Sequence, residues 1–267
     1  MTMTTESWSV AAPQTIEVAD TTSLTVRLTN GRAEIVADPD RAAGATIEVL
    51  EVSSRPLQIL AEHGTLRVAY DFPGIEGFVD RFRGLRDQDS AVVRVTVPAV
   101  ATVDVATVGG EASVTGSRAR VNVKSVNGAV AVAATSGPLS VKSVSGAIVV
   151  TGHTGDVVVN QASGPATVAG GLGRVTVNGV SGPVDVASSG TTPMVSAKTV
   201  AGAVTIRLDA GTPVNLRARS VTGKVTLDNE QLSSSAQRTV VVDHPEAGAT
   251  CYLSTNTVSG ATAIVRS

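Results

Sequence analysis

Short runs in which valine alternates with another residue recur along most of this chain. The segment "VNVKSVNGAVAV" (121–132) is followed almost at once by "LSVKSVSGAIVV" (139–150), which repeats it nearly residue for residue. Alternation with a period of two is typical of β-strands with one buried face, and a glycine between two such runs indicates a bend. Each segment therefore predicts two short strands joined at a glycine corner.

The repeat has a constant length. A glycine recurs every eighteen residues, and a second series of glycines falls nine residues after members of the first. The first series is Gly110, Gly128, Gly146, Gly164 and Gly182, and the second is Gly137, Gly155 and Gly173. With looser copies that extend to residue 265, there are about eight repeats.

These repeats predict an all-β protein with a parallel β-helix, or solenoid, of eighteen-residue coils, each made of two nine-residue half-coils. A β-sandwich or barrel also contains short strands at regular spacing, but its strands have no reason to resemble one another at a constant interval. In a solenoid they do, because each residue packs on its counterpart about 4.8 Å away in the next coil. We expect two interior columns: Val126, Val144, Ala162, Val180 and Val200 in one, and Val132, Val150, Val168, Val186 and Ile206 in the other.

The repeats, at residues 101–230, lie between two stretches with a different pattern. Residues 1–100 contain longer alternating strands joined by turns, which predict a β-rich N-terminal module that shields the edge of the first coil. Residues 231–267 contain a polar insertion and a last copy of the repeat, which we expect to cap the stack. Exposure of Val258 or Val265 to solvent would contradict that expectation.

An aromatic-rich insertion lies at residues 70–90 of the N-terminal module. It holds four of the six aromatic residues of the chain, and Phe78, Phe82 and Leu85 have the spacing of one face of a short helix. Two interpretations remain open: the insertion packs onto the end of the solenoid, or it contacts another subunit, a partner or a membrane surface. The candidate interaction surface consists of Tyr70, Phe72, Phe78, Phe82 and Leu85.

A column of polar residues occupies one position in successive copies. Its members are Lys124, Lys142, Asn160, Asn178 and Lys198. The column either binds an acidic ligand or is a solvated ladder, in which lysine opposes edge-to-edge association and stacked asparagines form hydrogen bonds. We favour the solvated ladder.

Composition narrows the class of protein. Hydrophobic residues make up 42% of the chain but aromatic residues only 2%, so valine, alanine, isoleucine and leucine must fill a narrow core. A net charge of −2 without a polybasic run gives no general attraction to nucleic acid. The single cysteine, Cys251, excludes an internal disulfide and every multi-cysteine metal site. Since neither an apolar leader nor a membrane-spanning run is visible, we expect a cytoplasmic protein, with peripheral membrane association left open.

Catalytic and metal motifs are missing from the repeats. The corners lack the aspartates of calcium-binding nonapeptide repeats, so no metal or cofactor is expected. Some parallel β-helices are carbohydrate-active enzymes, and a glycosidase needs two facing carboxylates. The repeats contain scattered candidates and no aromatic platform, and we expect His153 to be an exposed corner residue. The carboxylates are Asp104, Glu111, Asp156, Asp185 and Asp209.

The leader "SLTVRLTNGRAEIV", the strand "RVTVPA" and the tandem "V-x-V-x-x-V-S-G-x-V-x-V" copies resemble the bacterial "putative adhesin" family of β-strand-repeat proteins, a domain-of-unknown-function family. The resemblance covers nearly the whole chain. It implies a β-helix-like fold, no established catalysis and no site residues to transfer.

Taken together, the residues favour a non-enzymatic scaffold or interaction module, with a protein partner or self-association as its mode of action. An exported surface adhesin and a carbohydrate-active β-helix enzyme are the alternatives.

Overall fold

The structure is a computed structural model that describes residues 5–70, 89–232 and 240–267. Every regular element within these ranges is a β-strand, which confirms the all-β fold class. The chain forms two compact units, Met1–Ser136 and Gly137–Ser267. Four members of the candidate interaction surface, Phe72, Phe78, Phe82 and Leu85, lie outside the described residues.

The described part of the first unit contains twelve strands that form two hydrogen-bonded ladders. The strands are β1 (Glu6–Val10), β2 (Gln14–Val18), β3 (Ser23–Leu28), β4 (Asn30–Asp38), β5 (Ala45–Val52), β6 (Leu57–Glu62), β7 (Thr65–Ala69), β8 (Ser90–Pro98), β9 (Thr102–Thr107), β10 (Glu111–Thr115), β11 (Val121–Asn127) and β12 (Val130–Ala133). One ladder has the order β1, β6, β7, β3, β9, β11, and the other β2, β5, β8, β4, β10, β12. Pairing is antiparallel at the β1 and β2 ends and parallel from β7 and β8 onward.

The described part of the second unit also contains twelve strands. They are β13 (Leu139–Ser145), β14 (Ile148–Ser163), β15 (Ala166–Ser181), β16 (Val184–Ser188), β17 (Met194–Thr199), β18 (Val204–Leu208), β19 (Val214–Ser220), β20 (Val225–Leu227), β21 (Glu230–Gln231), β22 (Val240–Pro245), β23 (Cys251–Thr257) and β24 (Thr262–Arg266). The long strands β14 and β15 contribute one half to each of two ladders, because register shifts between Val150 and His153 and between Gly155 and Val157 separate their halves.

We call these ladders A and B. Ladder A consists of β13, residues 157–163 of β14, residues 175–181 of β15, then β17, β23, β19 and β22. Ladder B consists of the first halves of β14 and β15, then β16, β18, β24, β20 and β21. The pairing is in register with the sequence repeat, since Leu139 pairs with Val157 and Val157 with Val175.

The last sequence copy does not stand at the end of the stack. Strand β23 pairs in parallel with both β17 and β19, and β24 pairs in parallel with both β18 and β20, so this copy is inserted between two earlier ones. Val258 is 46% exposed, and the expectation that the last copy caps the stack is therefore wrong. Strands β22 and β21, which pair antiparallel to β19 and β20, occupy the outer position instead.

One of the two predicted interior columns is confirmed. Val132 in the first unit and Val150, Val168, Val186 and Ile206 in the second are at most 1% exposed. They alternate with outward residues along their strands, as a half-buried strand requires. This column fills the space behind ladder B and the corresponding ladder of the first unit.

The other predicted interior column is wrong. Its valines lie outside, with exposed fractions of 41% for Val126, 53% for Val144 and Val180, and 47% for Val200, and Ala162 is exposed as well. The reason is spacing: the third valine of "V-x-V-x-x-V" lies three residues after the second, and an odd step along a strand changes the face. The interior position belongs to the residue before it, which is Ser125, Ser143, Gln161 or Thr199 in the different copies.

Several buried polar residues at this position satisfy the backbone of the corners. The hydroxyl of Ser125 donates to the carbonyl of Gly128 at 3.1 Å, and that of Thr257 donates to Gly260 at 3.0 Å. The amide of Gln161 donates to the carbonyl of Gly146 at 2.6 Å. A buried carbonyl without a partner is costly, so a polar side chain at this position stabilises a corner that valine would not.

Candidate interaction surface

The outward side chains of ladder A form the surface we call face A, and they are arranged in columns. Register places Lys142 beside Asn160, Asn160 beside Asn178, and Asn178 beside Lys198. Four of the five residues of the predicted polar column are therefore neighbours in the second unit. The fifth, Lys124, lies on β11 of the first unit, where the register places it beside Ala106.

The polar column continues beyond its predicted end. Lys198 pairs with Asn256 on β23, and Asn256 pairs with Arg219 on β19. Sequence reasoning missed both residues because the copies that contain them stack in a different order from the one in which they are written. The signal that identifies them is their spacing: Asn256 lies two residues before Val258 and Arg219 two residues before Val221, as Lys142 lies two before Val144.

Hydrogen bonding within the column agrees with the ladder interpretation at its centre. The side-chain amide of Asn178 donates to the side-chain oxygen of Asn160 at 3.0 Å. The cations on either side of this asparagine pair are exposed to solvent, and most of them form no ion pair. Lys142, Lys198 and Arg219 form no ion pair with any residue in the described ranges, whereas Arg217 pairs with Asp243 at 3.4 Å.

An apolar column borders the polar one. It contains Val144, Ala162, Val180, Val200, Val258 and Val221, all of which are exposed. The corner residues beside these side chains are in register, since Ser145 pairs with Ser163 and Ser163 with Ser181. Val258 continues the column because its backbone N–H donates to the carbonyl of Val200 at 3.3 Å.

Two larger apolar side chains lie on the opposite side of the polar column. Met194 is 42% exposed and Tyr252 is 53% exposed, and the two residues pair with each other across β17 and β23. Each is four residues before a member of the polar column on the same strand, and strand alternation therefore places it on face A. The cations Lys198 and Arg219 are thus part of a surface that has apolar side chains on both sides.

Stacked glycines hold the corners of ladder A close together. A Cβ atom at Gly202 would lie 2.0 Å from the carbonyl oxygen of Gly182, and one at Gly182 would lie 2.0 Å from that of Gly164. Such distances exclude a side chain, so the backbone of one corner rests directly on the next. The corners can therefore follow the spacing of the hydrogen-bonded strands that they join.

Tyr70 is the one described member of the aromatic candidate surface. It is 5% exposed, and its hydroxyl lies 3.3 Å from that of Ser53. Tyr70 is therefore an interior residue of the first unit and adds no exposed apolar surface.

His153 is buried, contrary to the expectation of an exposed corner residue. It is 1% exposed and lies on β14, in register with Gly170 of β15. Burial lowers the pKa of His153 below its ordinary value, although hydrogen bonds to the backbone of Asp156 and Gly137 act in the opposite direction. The backbone at Gly170 lies close to that of His153, since a Cβ at Gly170 would lie 2.1 Å from the His153 carbonyl oxygen.

The carboxylates of the repeats are engaged separately. Asp104 accepts a hydrogen bond from Asn122 at 2.6 Å, and Glu111 pairs with Arg32 at 2.8 Å. Asp185 pairs with Arg207 at 3.0 Å. The remaining two accept backbone N–H groups: Asp156 that of Arg174 at 2.8 Å, and Asp209 that of Gly190 at 2.6 Å.

Two further features concern metals and membranes. Among the described residues there is no group of three or more His, Cys, Asp or Glu side chains that could hold a metal ion. The same residues include no helix with the length and apolar character needed to cross a membrane. The thiol of Cys251 is buried, and burial raises its pKa to about 11.

Comparison with known proteins gives one family and several structures. The model of the Toastrack DUF4097 family matches residues 14–264. A "putative adhesin" from Bacteroides fragilis is 11% identical, with a TM-score of 0.48 and coverage of 99% of this chain and 97% of that chain. A "putative cell adhesion protein" from Clostridium sporogenes is 9% identical, with a TM-score of 0.31 and coverage of 96% and 100%.

A third structure, of a "putative lipid binding protein" from Parabacteroides distasonis, is 14% identical, with a TM-score of 0.38 and coverage of 97% of this chain and 98% of that chain. All three TM-scores are below 0.5. A search of curated proteins found no match.

Proposed function

Because this chain belongs to the Toastrack DUF4097 family, we propose that it is a non-enzymatic interaction scaffold built on a β-solenoid with eighteen-residue coils. The resemblance to a domain-of-unknown-function family of β-strand-repeat proteins is confirmed by this match. Face A of the second unit is the surface through which the scaffold binds its partner.

One observation carries this proposal. The third apolar residue of the "V-x-V-x-x-V" pattern, valine in all but one copy of the second unit, is exposed to solvent as a column next to cations that have no ion-pair partner in the described residues. Contiguous exposed apolar surface is uncommon on a monomeric protein unless it binds something. The interior of ladder A is already filled by Val141, Val159, Val177 and Ala197, so the outer valines are not needed for the core.

The carboxylates support the absence of catalysis. A glycosidase holds one carboxyl group as an acid and another as a base or nucleophile across a sugar. Here Asp104, Glu111 and Asp185 each have a separate partner with a role in the fold. The corresponding test is activity on a panel of polysaccharides, where hydrolysis or lyase activity that is lost in Asp104→Asn or Asp185→Asn would contradict the scaffold.

Site-specific cross-linking tests the binding role of face A. A photo-reactive phenylalanine at Ser196, in the middle of face A, is compared with one at Thr205, on the outer side of ladder B. We expect cross-linked products in cells that express the Ser196 variant and few from the Thr205 variant. Equal products from both positions, or products from Thr205 alone, would contradict the proposal.

The exported-adhesin alternative differs in location. Fractionation of cells that express the native gene separates the two, because an adhesin accumulates at the surface and is accessible to added protease. A cytoplasmic location stays our prediction from the sequence.

A further inference from the structure

Face A has a charge opposite to that of the chain as a whole. Of the described residues it carries four cations, Lys142, Lys198, Arg217 and Arg219, against one carboxylate, Asp243, which is a net charge of +3. The complete chain has a net charge of −2. Among the described residues, Arg217 is the one cation of face A that forms an ion pair, with Asp243, and the surface therefore attracts anions.

A second copy of the chain does not fit this surface. Two copies of face A would bring like charges together, and like-charge contacts disfavour association. The exposed valines form a strip one residue wide, whereas a stable dimer buries on the order of 800 Å² on each partner. Charge and area therefore both favour a different occupant.

An extended peptide that adds a strand is also excluded along most of the face. Each strand of ladder A from β14 to β19 already pairs on both edges, so its backbone groups are occupied. A partner must contact side chains alone. A nucleic acid would use the cations but not the apolar columns on both sides of them, because phosphate and sugar give valine nothing to pack against.

We propose that face A docks on the surface of a lipid bilayer that contains anionic phospholipids. This inference rests on the proposed function and names the partner of the same surface. Lys142, Lys198 and Arg219 pair with headgroup phosphates, while the valine column and the Met194–Tyr252 pair enter the boundary between headgroups and acyl chains. Cations beside apolar side chains, with tyrosine at the boundary, are the chemistry that binds proteins to such interfaces.

The test is co-sedimentation of the full chain with two kinds of vesicle. One kind contains phosphatidylcholine alone, and the other contains phosphatidylcholine and phosphatidylglycerol. We expect binding to the anionic vesicles, weakened by salt, and little binding to the neutral ones. Binding to both kinds equally, or to neither, would overturn the proposal.

Single substitutions locate the surface. Lys198→Gln and Arg219→Gln should each weaken binding about five-fold, which is the effect of one charge near an anionic leaflet. Lys224→Gln is the matched control, because Lys224 is an exposed lysine that adjoins β20 of ladder B. If Lys224→Gln weakens binding as much as Lys198→Gln, the attraction is not a property of face A and the proposal fails.

Substitution of the exposed valines distinguishes binding to a bilayer from binding to other polyanions. The double substitution Val200→Ser and Val258→Ser removes exposed methyl groups, so its fold is expected to be intact, which circular dichroism verifies. It should weaken vesicle binding without affecting retention on heparin. Tight binding of duplex DNA that is unchanged by this double substitution would identify a nucleic acid as the ligand of face A and overturn the bilayer proposal.

The two proposals fail in different ways. If vesicles do not bind but cross-links from Ser196 persist in cells, face A binds a protein and only the bilayer inference is lost. If neither is found, the function proposed for face A is lost as well.

Discussion

At the scale of single residues, the corner of each repeat is where polar and apolar positions exchange roles. A buried Ser, Gln or Thr donates a hydrogen bond to a corner carbonyl, and the valine or alanine after it points to solvent. Valine is the residue that most readers of a sequence assign to the core, and here its β-branched shape suits an exposed strand position equally well. The hydrogen-bond needs of the corner decide which of the two residues is buried.

The glycine corners give the first stability prediction. Gly202→Ala should lower the free energy of unfolding by about 1–3 kcal/mol, because the added Cβ would press on the Gly182 carbonyl oxygen, 2.0 Å away. Gly171→Ala is the control, since its nearest neighbour would be the Thr154 side chain at 3.6 Å. Urea denaturation measures both, and equal stability of the two variants would contradict the close stacking of corners.

His153 predicts a dependence on pH. Burial lowers the pKa of His153 in the folded state. At a pH below about 6.5, the ordinary pKa of histidine, the side chain is therefore protonated more readily in the unfolded chain than in the folded one. Stability contributed by neutral His153 is therefore present above about pH 6.5 and lost as the pH falls. Denaturation at several pH values should show a smaller decline between pH 7 and 5 in His153→Gln than in the native chain.

The positions of many single residues could be predicted from the sequence, and those of some others could not. Glycine spacing predicted the corners and the in-register pairs such as Leu139 with Val157, because stacking of like residues leaves a periodic record. The outward position of Val144 and the burial of His153 were missed. Both depend on the local backbone conformation of one corner, whereas the repeat pattern describes only what the corners have in common.

At the scale of elements, strand β24 is held in place by the side chain of its final residue, Arg266. The Arg266 guanidinium donates to Asp228 at 2.7 Å and to Glu246 at 2.9 Å. Glu246 also accepts the backbone N–H of Val214 at 2.8 Å. The three side chains join β24 to the turns that follow β20 and β22.

This cluster predicts the effect of a single substitution. Arg266→Gln should lower the free energy of unfolding at neutral pH by about 1 kcal/mol, since two charge-assisted contacts are lost. Arg207→Gln on the neighbouring strand β18 removes one exposed pair, with Asp185, and should cost less. Thermal unfolding of the two variants gives the comparison, and a larger loss for Arg207→Gln would contradict the role of Arg266.

Acid should remove the contribution of the same cluster. Burial raises the pKa of Asp228, but hydrogen bonds and charge from Arg266 outweigh burial and lower this pKa below its ordinary value. The pKa of Glu246 is also lowered, because hydrogen bonds from the Val214 N–H and from Arg266, together with the charge of Arg266, outweigh burial. A carboxyl whose pKa is lowered by folding stabilises the protein above its unfolded pKa of about 4, and this stabilisation disappears as the pH falls below it. The difference between Arg266→Gln and the native chain should shrink over that range.

At the scale of the whole molecule, the order of copies in space differs from the order in sequence. The first unit places β3 between β7 and β9, and the second places β23 between β17 and β19. Sequence similarity could not reveal this, because any two copies with the same valine register can pair equally well. Strand β22 pairs antiparallel with one edge of β19, and residues 246–250 lead from it to β23 on the other edge.

Truncation tests this arrangement. Removal of residues 246–267 should unfold much of the second unit, because β17, β18, β19 and β20 each lose a paired neighbour from within the stack. Removal of residues 1–11 should cost less, because β1 pairs only with β6 in the described structure. Hydrogen exchange of the second unit measures the effect, and protection equal to that of the full chain would contradict the insertion.

The inserted copies also have a consequence for translation. In the first unit, β3 and β4 leave the ribosome before the strands that later flank them, so they are available as a template from the beginning. In the second unit, β23 and β24 leave last, when both flanking copies have already been synthesised. The first unit can therefore begin to fold while the chain is growing, whereas the stack of the second unit is completed only after β23 and β24 have left the ribosome.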